Sequence, residues 1–287
     1  MTLLNTLLAS DVIANFSPRK ALINGLKLLA LGLTICVVNG CSKQPEVSAL
    51  KIEVWQNGSP LSCNQFENNQ QQWFIRQLAF FVSELTFHSP STELQPKLLD
   101  SPWQTADLTL VKPRLVDCDE PKEQVNESSI DQPKFNSWLT FSAPVNVADT
   151  DALSFTLGVP FAVNHQNPLL QASPLNLPSM FWSWRSGHKF LRFDLQTADK
   201  NWVFHLGSVG CESASTMRGP QKECVQPNRL SFRLTKLHSG TKLVMHLDRL
   251  LQDTTLESSQ SCLFHEGQES CQTLLKNLHQ QDVFEWH

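Results

Sequence analysis

Tyrosine is missing from all 287 residues, which removes one common acid or base from any catalytic scheme. Other catalytic signatures are missing too. No His-Glu-x-x-His occurs, so the helix of a zinc protease is excluded. No nucleophile elbow occurs either, and Gly207-Ser-Val-Gly-Cys211 resembles Gly-x-Ser-x-Gly only superficially. There is no glycine-rich phosphate loop, and the acidic residues are spread without an evident pair. Cys-x-x-Cys is absent, which weakens a structural zinc site. Cys-x-x-Cys-His is absent as well, so the chain should hold no c-type haem. Long hydrophobic runs are lacking: the uncharged stretch Leu28–Gly40 falls short of the roughly 20 residues a membrane span needs. Basic residues are outnumbered, 23 Lys and Arg against 27 Asp and Glu. Arg19, Lys20, Lys27 and Asp11 lie in the first 41 residues, so the remainder is more acidic still. That balance argues against nucleic acid, whose affinity comes from clustered positive charge.

What is present begins with an export pattern. Basic residues, a short apolar run and small residues follow one another up to Cys41, the order of a secretory signal. Val38-Asn39-Gly40-Cys41 resembles the box cut by lipoprotein signal peptidase, so Cys41 is the expected lipidation site. Acyl chains bury CH₂ groups at ~0.8 kcal/mol each, so several together anchor a protein durably. Ser42 rather than Asp after the cysteine points to the outer membrane, on its periplasmic side or at the cell surface. An ordinary cleaved signal with an incidental cysteine is the alternative. The organisation read from this is a signal over 1–41, a tether over 42–50, a β domain over 51–280 and a loose tail over 281–287.

Cys36 leaves with the signal, and six further cysteines remain: Cys63, Cys118, Cys211, Cys224, Cys262 and Cys271. An even number in an oxidising compartment reads as disulfides. Nearest neighbours are the expected partners. The two short loops, closed by Cys211–Cys224 and Cys262–Cys271, are each worth ~2–3 kcal/mol in the chain-entropy account.

From residue 50 the chain breaks into short runs rich in Val, Phe, Leu and Thr, separated by Pro, Asn, Ser and Gly. Strands are expected at 52–54, 74–88, 107–111, 138–141, 190–195, 202–206, 229–234 and 242–247. Short helices are expected around 248–252 and over 272–280. For 149–157 a turn or short helix is open, because periodicity does not decide it. Residues 119–137, polar and acidic with two prolines, read as a long exposed loop. The fold class is therefore mainly β: one antiparallel, β-sandwich-like domain with long loops and one or two short C-terminal helices.

The densest chemical signal lies between 158 and 211. It holds His165, Met180, Trp182, Trp184, His188 and His205. In an extended segment Trp182 and Trp184 face one side, and His205 faces away from Trp202 and Phe204. Imidazole suits copper and zinc, and methionine can join for Cu(I). Each residue alone has a plainer reading. A lone histidine in a strand is usually a hydrogen-bonded core residue, and tryptophans are usually core. His188, between Gly187 and Lys189, looks like a turn residue. His88, His238, His246, His265, His279 and His287 look like surface or filler.

Taken in order, these residues resemble a known family. The string is Leu157-Gly-Val-Pro160, Asn164-His165, Pro174-Leu-Asn176, Ser179-Met-Phe-Trp-Ser-Trp184, Gly187-x-Lys-Phe190, His205-Leu-Gly-Ser-x-Gly-Cys211, and Cys224 with Pro227-Asn-Arg229. It is similar to the MbnP-like copper-binding proteins, also called metallo-mystery-pair four-Cys-motif proteins. Phe74–Leu85 resembles their early strand and Cys262…Cys271 their closing cysteine pair. The resemblance implies a β-rich extracytoplasmic protein that binds one copper ion and is not itself an enzyme. It implies a partner, a di-haem cytochrome c peroxidase-like protein of the MbnH type, which oxidises a tryptophan to kynurenine. The implied ligands are His165, His205 and one of Trp182 and Trp184, with Trp184 favoured. Val209, His188 and Arg185 depart from the family's usual Thr, aromatic and Gln; none removes a proposed ligand, and His188 either adds a third imidazole or replaces a ring. The competing reading is a structural or ligand-binding β-sandwich lipoprotein without metal, using Trp55, Trp73 or Trp103 as aromatic platforms.

Overall fold

The computed structural model describes residues 46–61, 63–115, 134–263 and 269–287. The signal, Cys41, the first part of the tether, Cys118, His265 and most of the 119–137 loop lie outside the described residues.

Two sheets make the domain. The smaller contains β1 (Glu46–Gln56), β2 (Ser59–Pro60), β8 (Trp138–Asn146), β14 (Lys242–His246) and β15 (Phe284–Trp286). The larger contains β3 (Gln65–Asn68), β4 (Gln71–His88), β5 (Glu93–Leu94), β6 (Gln104–Thr105), β7 (Leu108–Val111), β9 (Ala152–Leu157), β10 (Phe181–Ser183), β11 (Gly187–Gln196), β12 (Asn201–Gly207) and β13 (Leu230–Thr235). The described residues also hold three α-helices, α1 (Phe161–Asn164), α2 (Leu247–Leu250) and α3 (Glu269–His279), and three single 3-10 turns at Pro168–Leu170, Pro178–Met180 and Ser258–Gln260.

The sequence pattern explains the layering. In β1, Leu50, Ile52 and Val54 are buried while Lys51, Glu53 and Trp55 alternate outward, the period of a one-sided strand. β4 is different, because Leu78 to Val82 is buried without a break. It is the central strand of the larger sheet, pairing with β11 and then β9 along one edge and β7 along the other. A register shift between Ser83 and Thr86, with Glu84 at φ 55°, bends it there, as a bulge does.

The sheets meet through aromatic side chains. Phe284 of β15 lies 5.8 Å from Phe80, 5.2 Å from Phe155 and 4.9 Å from Phe232, and Trp286 lies 5.7 Å from Phe87. Offset and edge-to-face rings at these separations add to the burial of area. All but one of the described pairings between named strands are antiparallel; β1 and β14 run parallel, with Lys51 to Trp55 opposite Lys242 to His246. In the C-terminal part, Asn277 of α3 donates to the Leu250 and Gln252 carbonyls. It thereby satisfies groups that the end of α2 would leave bare.

Four expectations need correction. The tether is shorter than expected, because Glu46–Leu50 already pairs with β8. Residues 152–157 form a strand; five of its six side chains are buried, so neither a helical nor an alternating period shows. The tail is not loose: Glu285 and its neighbours pair with β14, and Trp286 is fully buried. Trp73 is buried as well, so it offers no platform, and Trp55 and Trp103 are half-buried.

Candidate metal centre

The region around 160–229 is assembled by one hairpin, one short helix and one disulfide. β10 turns back through Trp184, Arg185 and Ser186 into β11. Gly187 opens β11 at φ 75°, and a Cβ there would stand 2.5 Å from the Asn164 side chain, so only glycine fits. Cys211 is joined to Cys224, fastening the 208–229 loop beside His165. Cys262 is joined to Cys271, and Cys63 is also disulfide-bonded.

Asn164 is the hub. It is buried, and its Oδ1 accepts from the His188 backbone N–H at 2.8 Å. Its Nδ2 lies 3.1 Å from His165 Nε2 and 3.4 Å from Ser208 Oγ. The sequence reading gave Asn164 no role of its own, since nothing in its spacing marks a side chain that ties three elements together.

His165 follows α1 and is buried. Its Nδ1 lies 3.2 Å from the Trp184 carbonyl, which can only accept, so Nδ1 carries the proton. Nε2 is then the lone-pair nitrogen, receiving from Asn164 and lying 3.7 Å from Cys224 Sγ. Burial lowers its pKa, with backbone hydrogen bonds at Trp184 and Arg185 opposing in part. The imidazole is thereby kept neutral, the form that ligates metal.

His205 sits on β12 directly opposite Arg192 of β11. Its Nε2 is 2.6 Å from Asp194 Oδ1. Asp194 Oδ2 receives Arg192 Nε at 2.8 Å and Nη2 at 2.5 Å. Burial pushes the Asp194 carboxyl up, but the hydrogen bonds from His205 and Arg192 outweigh it and hold the group below its ordinary value. An ionised carboxylate accepts the hydrogen bond from Nε2–H, so Nδ1 is the nitrogen that carries the lone pair of the neutral ring. This carboxylate–histidine pairing is how proteins orient metal-ligating imidazoles. Asp194 and Arg192 were missed by sequence reasoning. Their signal was available, since Arg192-x-Asp194 alternates on a strand next to His205.

The hairpin touches both histidines. The Trp182 ring centroid is 6.5 Å from that of His205, and the Trp184 carbonyl meets His165. The Trp182 ring also packs where a Cβ on Gly207 would collide, and Lys189 Nζ lies 5.7 Å from the ring centroid. Trp182 and Trp184 are half-buried. Among the described residues, one group of three His, Cys, Asp or Glu brings its ligand atoms within 4.8 Å: His165 with Cys211 and Cys224. Those sulfurs form a disulfide and offer no thiolate, and His205 is not in the group. The structure thus places each histidine against the tryptophan hairpin rather than against the other.

His188 is not a turn residue. It lies in β11, fully buried, because Phe81 and Phe181 enclose its ring. Its Nδ1 lies 3.0 Å from the Asn164 carbonyl and its Nε2 2.8 Å from the Leu175 carbonyl. Both nitrogens face backbone carbonyls at hydrogen-bond distance, so the ring braces the 164–188 region and neither nitrogen is open to a metal.

A family model described as MbnP matches residues 45–266. The chain belongs to the MbnP family. MbnP from Methylosinus trichosporium shares the fold, with a TM-score of 0.64 at 17% identity over 81% of this chain and 87% of that one. No match is found among curated proteins. The MbnP-family match spans β1 to β14, so the Asn164 hub, both histidines, the tryptophan hairpin and the Cys211–Cys224 bridge all fall inside it.

Proposed function

We propose that this MbnP-family chain is an exported lipoprotein that holds a single copper ion as cargo, with His165 and His205 as its imidazole ligands and the Trp182–Trp184 hairpin completing the site. One observation carries the reading. Each imidazole has one nitrogen fixed by an acceptor, the Trp184 carbonyl for His165 and Asp194 for His205. The remaining nitrogen of each carries the lone pair, that of His165 now received by the Asn164 amide and available to a metal in its place, and the same hairpin lies against both rings. The donor set fits copper, for which imidazole is a natural ligand. An indole offers no comparable lone pair. Opening of Trp184, or less favourably Trp182, to kynurenine would supply an aniline nitrogen and a ketone. That oxidation belongs to a di-haem peroxidase-like partner of the MbnH type, so this chain is substrate rather than enzyme. Lipid on Cys41 would keep it at the outer membrane, on the periplasmic side or at the cell surface.

The test is intact mass and metal content of the protein made with and without the haem partner. The expected result is about one copper per chain, lost in His165→Ala and in His205→Ala, and a mass gain on the peptide carrying Trp182 and Trp184 only when the partner is present. Copper content unchanged in both histidine variants would remove the reading.

A further inference from the structure

The MbnP match ends at residue 266, yet β15 beyond it builds a second cluster of metal-type side chains. Strand alternation explains the cluster. β15 pairs with β14 so that Glu285 faces Val244, while the His287 N–H and C=O bond to Lys242. β1 runs parallel on the other side of β14, with Trp55 opposite His246. Trp55, His246, Glu285 and His287 therefore project from one face of three adjacent strands, opposite the face that carries Phe284 and Trp286 into the core.

His246 is the anomaly. It is buried; its Nδ1 meets no partner among the described residues, and its Nε2 meets the Glu285 carboxylate at 3.0 Å from Oε2, a distance that suits a hydrogen bond although the N–H direction is poor. A buried imidazole with one nitrogen unpaired and the other badly aimed costs free energy, and a missing ion or water is the usual explanation. The same Oε2 lies 2.8 Å from His287 Nε2. The other carboxylate oxygen, Oε1, is held at 2.7 Å by Arg249, which itself bonds to the Asp282 carbonyl. Glu285 is thus a carboxylate with one oxygen anchored and the other offered to two imidazoles. Two ligands at zinc distances in a tetrahedron stand roughly 3.3 Å apart, close to both separations seen here.

We propose that His246, Glu285 and His287 form a second metal site, for a divalent borderline cation such as zinc. The three ligand atoms do not yet lie within 4.8 Å of one another, so the partly exposed His287 ring has to turn to close the set on one ion. Exposed His238, whose ring lies 5.0 Å from that of His287, is within reach as a fourth ligand. Trp55 flanks the site, 5.8 Å from the His246 ring and 5.3 Å from the His287 ring. Two imidazoles and one carboxylate are a common zinc set, with Arg249 orienting the carboxylate from behind. The site does not depend on the copper reading, because it shares no residue with it.

The experiment uses Co(II) as a visible-absorbing probe, displaced afterwards by Zn(II), on the full chain carrying His165→Ala and His205→Ala. The expected result is uptake of one equivalent of Co(II) with ligand-field bands of a low-coordinate site. Adding Glu285→Gln or His287→Ala, both at partly exposed positions, should weaken uptake by about tenfold or more. His246→Asn should abolish it, and the two exposed variants decide the matter if that protein fails to fold. No uptake in the starting protein, or uptake indifferent to Glu285→Gln and His287→Ala, would overturn the site and leave the copper reading untouched.

Discussion

Replacing Asp194 by Asn tests how the structure prepares His205. The change keeps shape and removes charge. Asp194 now accepts three hydrogen bonds from ionic or ring donors, one from His205 and two from Arg192, in a setting where its side chain is 15% exposed. Asparagine accepts through one oxygen only. Either Arg192 or His205 must then face an amide N–H, and the imidazole loses the partner that fixes its tautomer. Outer partners of metal-bound histidines are worth about 10- to 100-fold in affinity, or roughly 1.4–2.8 kcal/mol. Copper affinity, measured by competition with a chromogenic chelator, should fall by that amount in Asp194→Asn. In the His205→Ala background the same change should add less than about 0.5 kcal/mol, because its route to the metal is gone. Wild-type affinity in Asp194→Asn, or an equal loss in both backgrounds, would refute the argument that Asp194 acts through His205.

Three further outcomes follow from the packing. Trp286→Ala should destabilise the domain by about 3–5 kcal/mol, read as a lowered urea midpoint, since Trp286 is fully buried against Phe87; a change under about 1 kcal/mol would restore the loose tail. His188→Ala should cost about 2–4 kcal/mol through lost packing and stranded carbonyls while leaving the copper bound per chain unchanged, and metal analysis after gel filtration checks this. Burial holds both His165 and His188 below the ordinary imidazole value, so the unfolded chain takes up protons first. Stability should therefore be full above about pH 6.5 and decline as pH falls through the two folded values; chemical denaturation at a series of pH values that showed stability rising on acidification would contradict it.

Much of the fold was legible in the residues because one-sided strands advertise themselves. Lys51 to Trp55 alternates cleanly, and so does Leu230 to Thr235, whose burial alternates residue by residue. The Ala152–Leu157 strand stayed undecided because both its faces are covered, which erases the period. The tail misled for another reason. Its short run, Phe284-Glu-Trp286, is too brief to show a period, and only the partner strand and the ring cluster around Phe284 give it a place. The site was half legible. His165, His205 and the tryptophan pair stand out by type and order, whereas Asn164, Asp194 and Arg192 are ordinary polar residues until folding sets them 2.5–3.4 Å from their partners. His188 and His246 show the opposite failure. Each looked incidental, and each is buried by a neighbour distant in the chain, Phe81 against the His188 ring and Trp55 on the strand beside His246.

The parallel ladder between β1 and β14 has a consequence for how the chain reaches this state. Its two halves are separated by most of the sequence, and contacts of such long range form slowly because loop closure must come first. The larger sheet can gather around β4 while synthesis continues. The edge of β1 from Lys51 to Trp55 stays unpaired until β14 emerges. A nascent chain therefore carries an open strand edge, backed by Leu50, Ile52 and Val54, for most of its length. Until the last segment arrives, that edge is the part most prone to aggregate and the part a holding chaperone would have to cover.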